Sequence, residues 1–238
     1  LGMLAEIVDD GAALARAEAV AAELAALPRR GLLLQTEIIR ATAGRPLAEG
    51  LALFRDDPLV HEPGTKVLYS TYGYTLLGCA AAGAAGRPFT ALLNDAVLAP
   101  AGMTATRVDD VRGLIPNRAQ GYVRDGEGEL LNSALADMTY KVPGGGLSST
   151  APDVARFGTA LLSGRLVKAN TLKQMLTRQK TRSGRVTGFG LGLALGSRGG
   201  RREAWHTGGQ ERVSTAIYLQ PDSGLAVAIL TNLEKVQP

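Results

Sequence analysis

Cysteine is almost absent from this chain: Cys79 is the only one, which excludes an internal disulfide framework and any cysteine-built metal site. It sits in the apolar run Leu76-Leu77-Gly78-Cys79-Ala80, the setting of a buried, inert thiol. Histidine is nearly as scarce. His61 lies in a turn beside Pro63-Gly64 and has no ligand spacing to His206, so zinc catalysis is not expected and no metal or other cofactor is implied. Long hydrophobic runs are missing too. The longest nearly uncharged stretch, residues 69–86, is rich in Gly and Ala and shorter than the roughly 20 strongly apolar residues of a bilayer-spanning helix, so no membrane span is expected. Leu1 is not followed by a basic stretch, a short apolar run and a small-residue cleavage site, so no secretory signal is read. No compartment follows from these residues. The formal charge of +4 does not mark a nucleic-acid binder, because basic and acidic residues alternate through most of the chain. The one basic cluster, Arg198, Arg201 and Arg202, lies in a Gly-rich turn without interleaved aromatics.

What is present fits a folded enzyme-sized unit. With 238 residues, 45% of them apolar and 20% charged, the chain can bury a real core as one large domain or two closely packed lobes. Residues 3–27 place Met3, Leu4, Ile7, Val8, Leu14, Val20, Leu24 and Leu27 at roughly helical spacing, broken at Gly11 and stopped by Pro28. Turn chemistry follows at Asp57-Pro58 and Glu62-Pro63-Gly64. Helices are expected over residues 72–85, ending at Gly86, and over 89–98, halted by Pro100. Thr150-Ala151-Pro152-Asp153 is the clearest helix start, with a hydroxyl cap, a proline in the first turn and an acid three residues on. That helix should reach Leu162 and end at Gly164. Asn170 can cap another through Arg178. Extended runs at 188–195, 213–220 and 225–231 come last, the final two flanking the turn Pro221-Asp222-Ser223-Gly224. Helices first and strands last imply an α+β fold, an antiparallel sheet flanked by helices beside a helical lobe. The expected division is about 1–165 for the helical lobe and 166–238 for the sheet-forming part of one domain, and no repeat or low-complexity linker marks a boundary.

Four stretches carry a resemblance. Val67-Leu68-Tyr69-Ser70-Thr71-Tyr72-Gly73 looks like a Tyr-x-Asn element leading into a helix. Pro100-Ala101-Gly102-Met103-Thr104-Ala105-Thr106 is similar to a Pro-Leu-Gly-Met-x-x-Thr turn. Pro143-Gly144-Gly145-Gly146-Leu147-Ser148-Ser149-Thr150 resembles a Gly-Gly-Leu-x-Ser-Thr segment. Trp205-His206-Thr207-Gly208-Gly209 matches the His-Thr-Gly variant of a Lys-Thr-Gly strand. In this order they resemble the penicillin-binding-protein-like serine hydrolases, the family of class C β-lactamases and related esterases and D-aminopeptidases. Residues 53–74 look closest to the mitochondrial serine β-lactamase-like subgroup, which also has Tyr-Ser-Thr.

The chemistry explains why such residues recur. Acyl transfer by serine needs a base, because the free alcohol is a weak nucleophile. A tyrosine, with a pKa of about 10 unperturbed, serves only where a cation stabilises its phenolate. The resemblance assigns the base to Tyr69 and that cation to the lysine of Ser-x-x-Lys. It puts His206 near the polar end of the substrate, and Thr71, Thr207, Gly208 and Gly209 at the substrate and oxyanion positions, with the Gly209 N–H as one donor. From the residues alone Tyr69 also fits a packed aromatic at a loop edge, and His206 a satisfied, partly buried histidine. Tyr69 and His206 should face one cleft if the assignment holds, and Gly208-Gly209 should lie on an edge strand with free backbone groups.

The match has gaps. No Ser-x-x-Lys occurs in a usable place; the alignment expects that serine several residues before Leu1, and expects a further helix after Pro238. Ala41 stands where the resemblance expects histidine, Thr71 where it expects asparagine, and Arg212 where it expects glycine, as a long cation able to narrow the cleft or meet an acidic substrate. Two readings stay open. One is a serine hydrolase acting on a small-molecule or peptide amide or ester, namely a β-lactam, a D-amino-acid peptide or a small ester, its nucleophile supplied by an N-terminal segment or a partner chain. The other is a noncatalytic scaffold or binding protein that kept the fold.

Overall fold

A computed structural model describes residues 50–236; the helical pieces expected over 3–27 and the stretch around Ala41 lie outside them. The first element that lies wholly within the described residues is helix α1, Thr71–Ala85, and its limits are chemical. The Ser70 side chain accepts from the Gly73 N–H at 3.2 Å, satisfying one of the free donors of the first turn. Gly86 ends the helix at φ 60, a left-handed conformation that costs a Cβ-bearing residue more than glycine.

The helical run α2 extends over Phe89–Ala101, past the expected stop at Pro100. The correction has a local cause. Asn94–Leu98 is a π-turn, in which the Ala99 N–H bonds back to the Asn94 carbonyl. This wider turn just ahead of Pro100 makes room for a ring that a regular α-turn would exclude. Gly102, at φ 72, closes the run. A short helix α3, Val142–Gly145, precedes α4, Ala151–Leu162, whose Thr150 cap accepts from the Asp153 N–H. The last helix, α5, is Ala169–Met175 with Lys168 as its cap, so Asn170 lies inside its first turn. It stops short of Arg178 because the Met175 carbonyl accepts from the Leu191 N–H, at 3.1 Å. Among the described residues no single helix is long and apolar enough to cross a membrane.

Two small antiparallel pairs sit between the helices: β1, Arg107–Val108, with β4, Leu147–Ser148, and β2, Tyr122–Arg124, with β3, Leu130–Asn132. The main sheet is antiparallel, in the order β5 (Ala194–Arg198), β6 (Arg201–Gln210), β7 (Val213–Gln220), β8 (Leu225–Thr231). The last two strands coincide with the extended runs at 213–220 and 225–231. The run expected at 188–195 is displaced: Gly190 donates to the Leu193 carbonyl and Gly192 adopts φ 77, so this glycine-rich stretch turns before β5 can start. Gly199 and Gly200, at φ 57 and 75, make the tight β5–β6 turn.

Helix α4 lies on one face of this sheet. Phe157, Ala160 and Leu161 are buried there with Ile217 and Leu219. A Cβ on Gly158 would come within 2.7 Å of Ala226 Cβ and of Leu219 Cδ2, so the helix approaches β7 and β8 closely where a side chain is missing. Cys79 is buried in the same core, and burial pushes its thiol up to about 11, as expected of an inert packing residue.

Candidate active site between the helical lobe and the sheet

The capped start of α1 holds the backbone just after Tyr69. Its side chain remains 56% exposed and its ring centre lies 6.0 Å from that of His206. The ring centre of Tyr74, five residues on, is 6.2 Å from that of Tyr69. Burial, with Tyr69 as a second cause, raises the pKa of Tyr74. Burial lowers that of His206, so the imidazole is neutral at pH 7 and supplies no cation to Tyr69.

Strand β6 contributes more than His206. Side chains alternate along a strand, and His206, Gly208 and Gln210 share the face whose β7 partners, Ile217 and Thr215, lie on the α4 side. Thr207 and Gly209 therefore belong to the opposite face, and what Thr207 brings to the cleft is main chain rather than hydroxyl. The main chain follows the same parity. The pair Gln210–Val213 closes the turn at Glu211-Arg212, and in a two-residue hairpin the closing pair is hydrogen-bonded. Gly208 and His206 then address β7, whereas the N–H and C=O groups of Thr207 and Gly209 point the other way. The β5–β6 hairpin, closed by Arg198–Arg201, gives the same parity from its own end.

Gly208 and Gly209 do not lie on an edge strand, since β6 is second in the sheet. But β5 has only five residues and pairs no further along β6 than Trp205. From His206 onward, among the described residues, no strand flanks β6 on that side. The edge is local, and it leaves Thr207 and Gly209 with main-chain groups open to a ligand. A Cβ on Gly209 would meet nothing within 4 Å.

A third wall comes from α3. A Cβ on Gly144 would fall 2.7 Å from both the Thr71 carbonyl oxygen and its Cγ2, so Thr71 takes part by packing its methyl against bare backbone. Gln210 then spans from β6 to α3, its Nε2 donating to the Gly145 carbonyl at 2.9 Å. Sequence reasoning missed Gln210, although its offset of four from His206 puts it on the same strand face. Arg212 is where the sequence reading and the structure part. It adopts φ 76, the conformation that explains an expected glycine, but its Nη2 donates to the Ala119 carbonyl at 3.2 Å and its N–H to Glu234 at 2.9 Å. A Cβ on Gly121 would overlap its side chain. The guanidinium is thus packed on the 119–121 loop and does not narrow the cleft.

Two of the hydroxyls near the cleft in sequence are engaged elsewhere. Ser70 caps α1, and the Ser149 hydroxyl is bonded to that of Thr106 at 2.7 Å. Ser148 lies in β4 opposite Arg107.

Comparison with known proteins agrees with this architecture. The β-lactamase family model matches residues 21–238. Serine beta-lactamase-like protein LACTB, mitochondrial, from Mus musculus is 38% identical over 116 residues, 49% of this chain and 21% of the relative. Penicillin-binding protein 4* of Bacillus subtilis (strain 168) is 28% identical over 187 residues, 73% of this chain and 41% of that protein. The crystal structure of a D-stereospecific amidohydrolase from Streptomyces sp. superposes with a TM-score of 0.69 at 23% identity, covering 81% of this chain and 57% of that one. The chain thus spans about a fifth of the length of its mitochondrial relative.

Proposed function

Because the chain belongs to the β-lactamase family, we propose that it forms most of a serine hydrolase that cleaves an amide or ester through an acyl-enzyme, with the nucleophilic serine supplied from outside this sequence. The observation that supports the reading is the meeting of Tyr69 with His206 at 6.0 Å beside the open main-chain edge at Thr207 and Gly209. In this scheme the serine Oγ attacks the carbonyl carbon, Tyr69 takes the serine proton and returns it to the leaving group, and water then releases the acyl group. The Gly209 N–H donates to the oxyanion. The neutral His206 holds a polar part of the substrate. The cation needed beside Tyr69 is the lysine of an incoming Ser-x-x-Lys, since His206 carries no charge at pH 7.

We also propose that a further segment or a partner chain completes the fold. Strand β8 reads as an almost unbroken apolar run, the pattern of a strand covered on both faces. Leu225, Val227 and Ile229, on the face away from α4, remain 49%, 41% and 47% exposed.

Intact-mass spectrometry after incubation with a labelled penicillin and a nitrophenyl ester tests the assignment. The 238-residue chain alone should acquire no stoichiometric acyl group, and a longer chain carrying an upstream Ser-x-x-Lys should acquire one. Loss of the nucleophile leaves only the residual catalysis of binding and oxyanion stabilisation, roughly 10³-fold to 10⁴-fold over water. Acylation of the short chain would place the nucleophile within it. A longer chain that stays unlabelled would favour the noncatalytic reading.

A further inference from the structure

We infer that the hairpin over residues 179–189 is a docking surface for an anionic phospholipid bilayer, held there by unpaired cations and by exposed apolar side chains among them. This role does not depend on acyl transfer in the cleft. Between Asp153 and Glu203 the chain carries eleven of its 26 Lys and Arg residues and no acidic residue, so the signs that alternate elsewhere separate here. The middle of that stretch folds back on itself. The Gln179 N–H donates to the Phe189 carbonyl and the Thr187 N–H to the Gln179 carbonyl, each at 2.8 Å, and the Thr181 N–H donates to the Arg185 carbonyl at 3.0 Å. Gly184, at φ 82, makes the tip. At the base Phe189 bridges to Ala194, the first residue of β5, which fastens the hairpin to the main sheet.

Lys180, Arg182 and Arg185 are exposed, and none of them makes an ion pair among the described residues. Arg182 meets the loop that carries Glu62, through its N–H to the Gly64 carbonyl at 2.8 Å, yet forms no ion pair with that acid. Three unpaired cations on one hairpin are drawn to an anionic membrane, where each near the surface strengthens binding by a factor of about five. The apolar side chains decide the kind of partner. Lys180 and Val186 lie opposite each other in the hairpin, so their side chains share a face. Val186 is 53% exposed and Phe189 43%. A soluble anion calls only for the charges, whereas cations interleaved with exposed apolar groups suit headgroups lying over an acyl boundary.

The test is cosedimentation of the 238-residue chain with vesicles of phosphatidylcholine alone and of phosphatidylcholine mixed equally with phosphatidylglycerol. The chain should bind the mixed vesicles at least about tenfold more strongly, and that advantage should shrink as salt is raised. Lys180→Gln, Arg182→Gln and Arg185→Gln combined in one chain should weaken binding to mixed vesicles by about 100-fold. Arg107→Gln, Arg112→Gln and Arg124→Gln remove the same charge from exposed positions outside the hairpin and should weaken it by less than about fivefold. Val186→Ser keeps every cation and should weaken it by about threefold. Equal binding to both kinds of vesicle, or none to the mixed ones, would overturn the proposal. A matched loss in the two triple variants would put the attraction in the net charge instead of the hairpin, and overturn it too. If Val186→Ser binds as the unsubstituted chain does, the apolar contact fails and with it the choice of a bilayer. Retention of the chain on polyglutamate but not on mixed vesicles would assign the hairpin to an acidic protein instead.

Discussion

Asp153 offers a sharp test of how the turn at 102–106 is tied to α4. The residue is fully buried. Its Oδ2 accepts from the Ala105 N–H and from the Thr106 hydroxyl, each at 2.9 Å, and its Oδ1 accepts from Arg156 at 2.6 Å. Removing it in Asp153→Ala strands the Ala105 N–H, at about 1–3 kcal/mol, and loses a second charge-assisted bond from Thr106. Thr106 recovers part of that loss through Ser149. The Arg156 side chain is 52% exposed, so the ion pair adds only about 0.5 kcal/mol. The total is about 2–4 kcal/mol. Asp153→Asn should behave differently, because an amide oxygen placed at Oδ2 still accepts both bonds and only the Arg156 contact is lost. Its cost should be about 1 kcal/mol. Denaturant unfolding reads the difference as a shift of midpoint at constant slope, and for a protein of this size each kcal/mol lowers Tm by about 2–4 °C. The reasoning fails if Asp153→Asn is as damaging as Asp153→Ala, since the negative charge would then matter more than the acceptor.

Two further outcomes follow from the same geometry. His206, whose folded pKa is depressed by burial below 6.5, should make the fold more stable above pH 6.5 and progressively less so as pH falls toward its folded pKa, because the unfolded chain takes the proton first; His206→Gln should flatten the denaturation midpoint between pH 7.5 and 5, and an unchanged slope would show that other groups carry it. Gly158→Ala sets a helix-propensity gain of about 1 kcal/mol against overpacking on Ala226 and Leu219, which costs about 1–3 kcal/mol; urea unfolding should show net destabilisation, and a stabilised variant would mean that α4 can lift from the sheet at little cost.

The elements legible in the sequence were those whose signals are local. Gly86 at the end of α1, Thr150 and Gly164 around α4, and the Pro221–Gly224 turn between β7 and β8 each act within a few residues, so spacing and residue type suffice to find them. The misplaced elements depend on distant partners. Helix α5 ends where Leu191 claims the Met175 carbonyl, and β5 starts late because Gly190 and Gly192 turn first. At Pro100 the reason is subtler: a proline stops a regular α-helix, and nothing in the sequence announces the π-turn that accommodates it.

The candidate site divides in the same way. Tyr69, His206 and the two glycines could be picked out because their chemistry stands alone in a line of sequence, yet their meeting is a tertiary fact resting on a capped helix start and a strand that outruns its neighbour. That inequality matters most. Had β5 matched β6 in length, its main chain would pair with Thr207 and Gly209, and the cleft would have no donors to offer. Had it been absent, β6 would be an edge along its whole length and invite unrestrained strand pairing. The five-residue β5 leaves open only the segment that faces Tyr69, and the Gly-rich stretch that delays its start is therefore part of the site's construction although it lies more than ten residues from His206 in the chain.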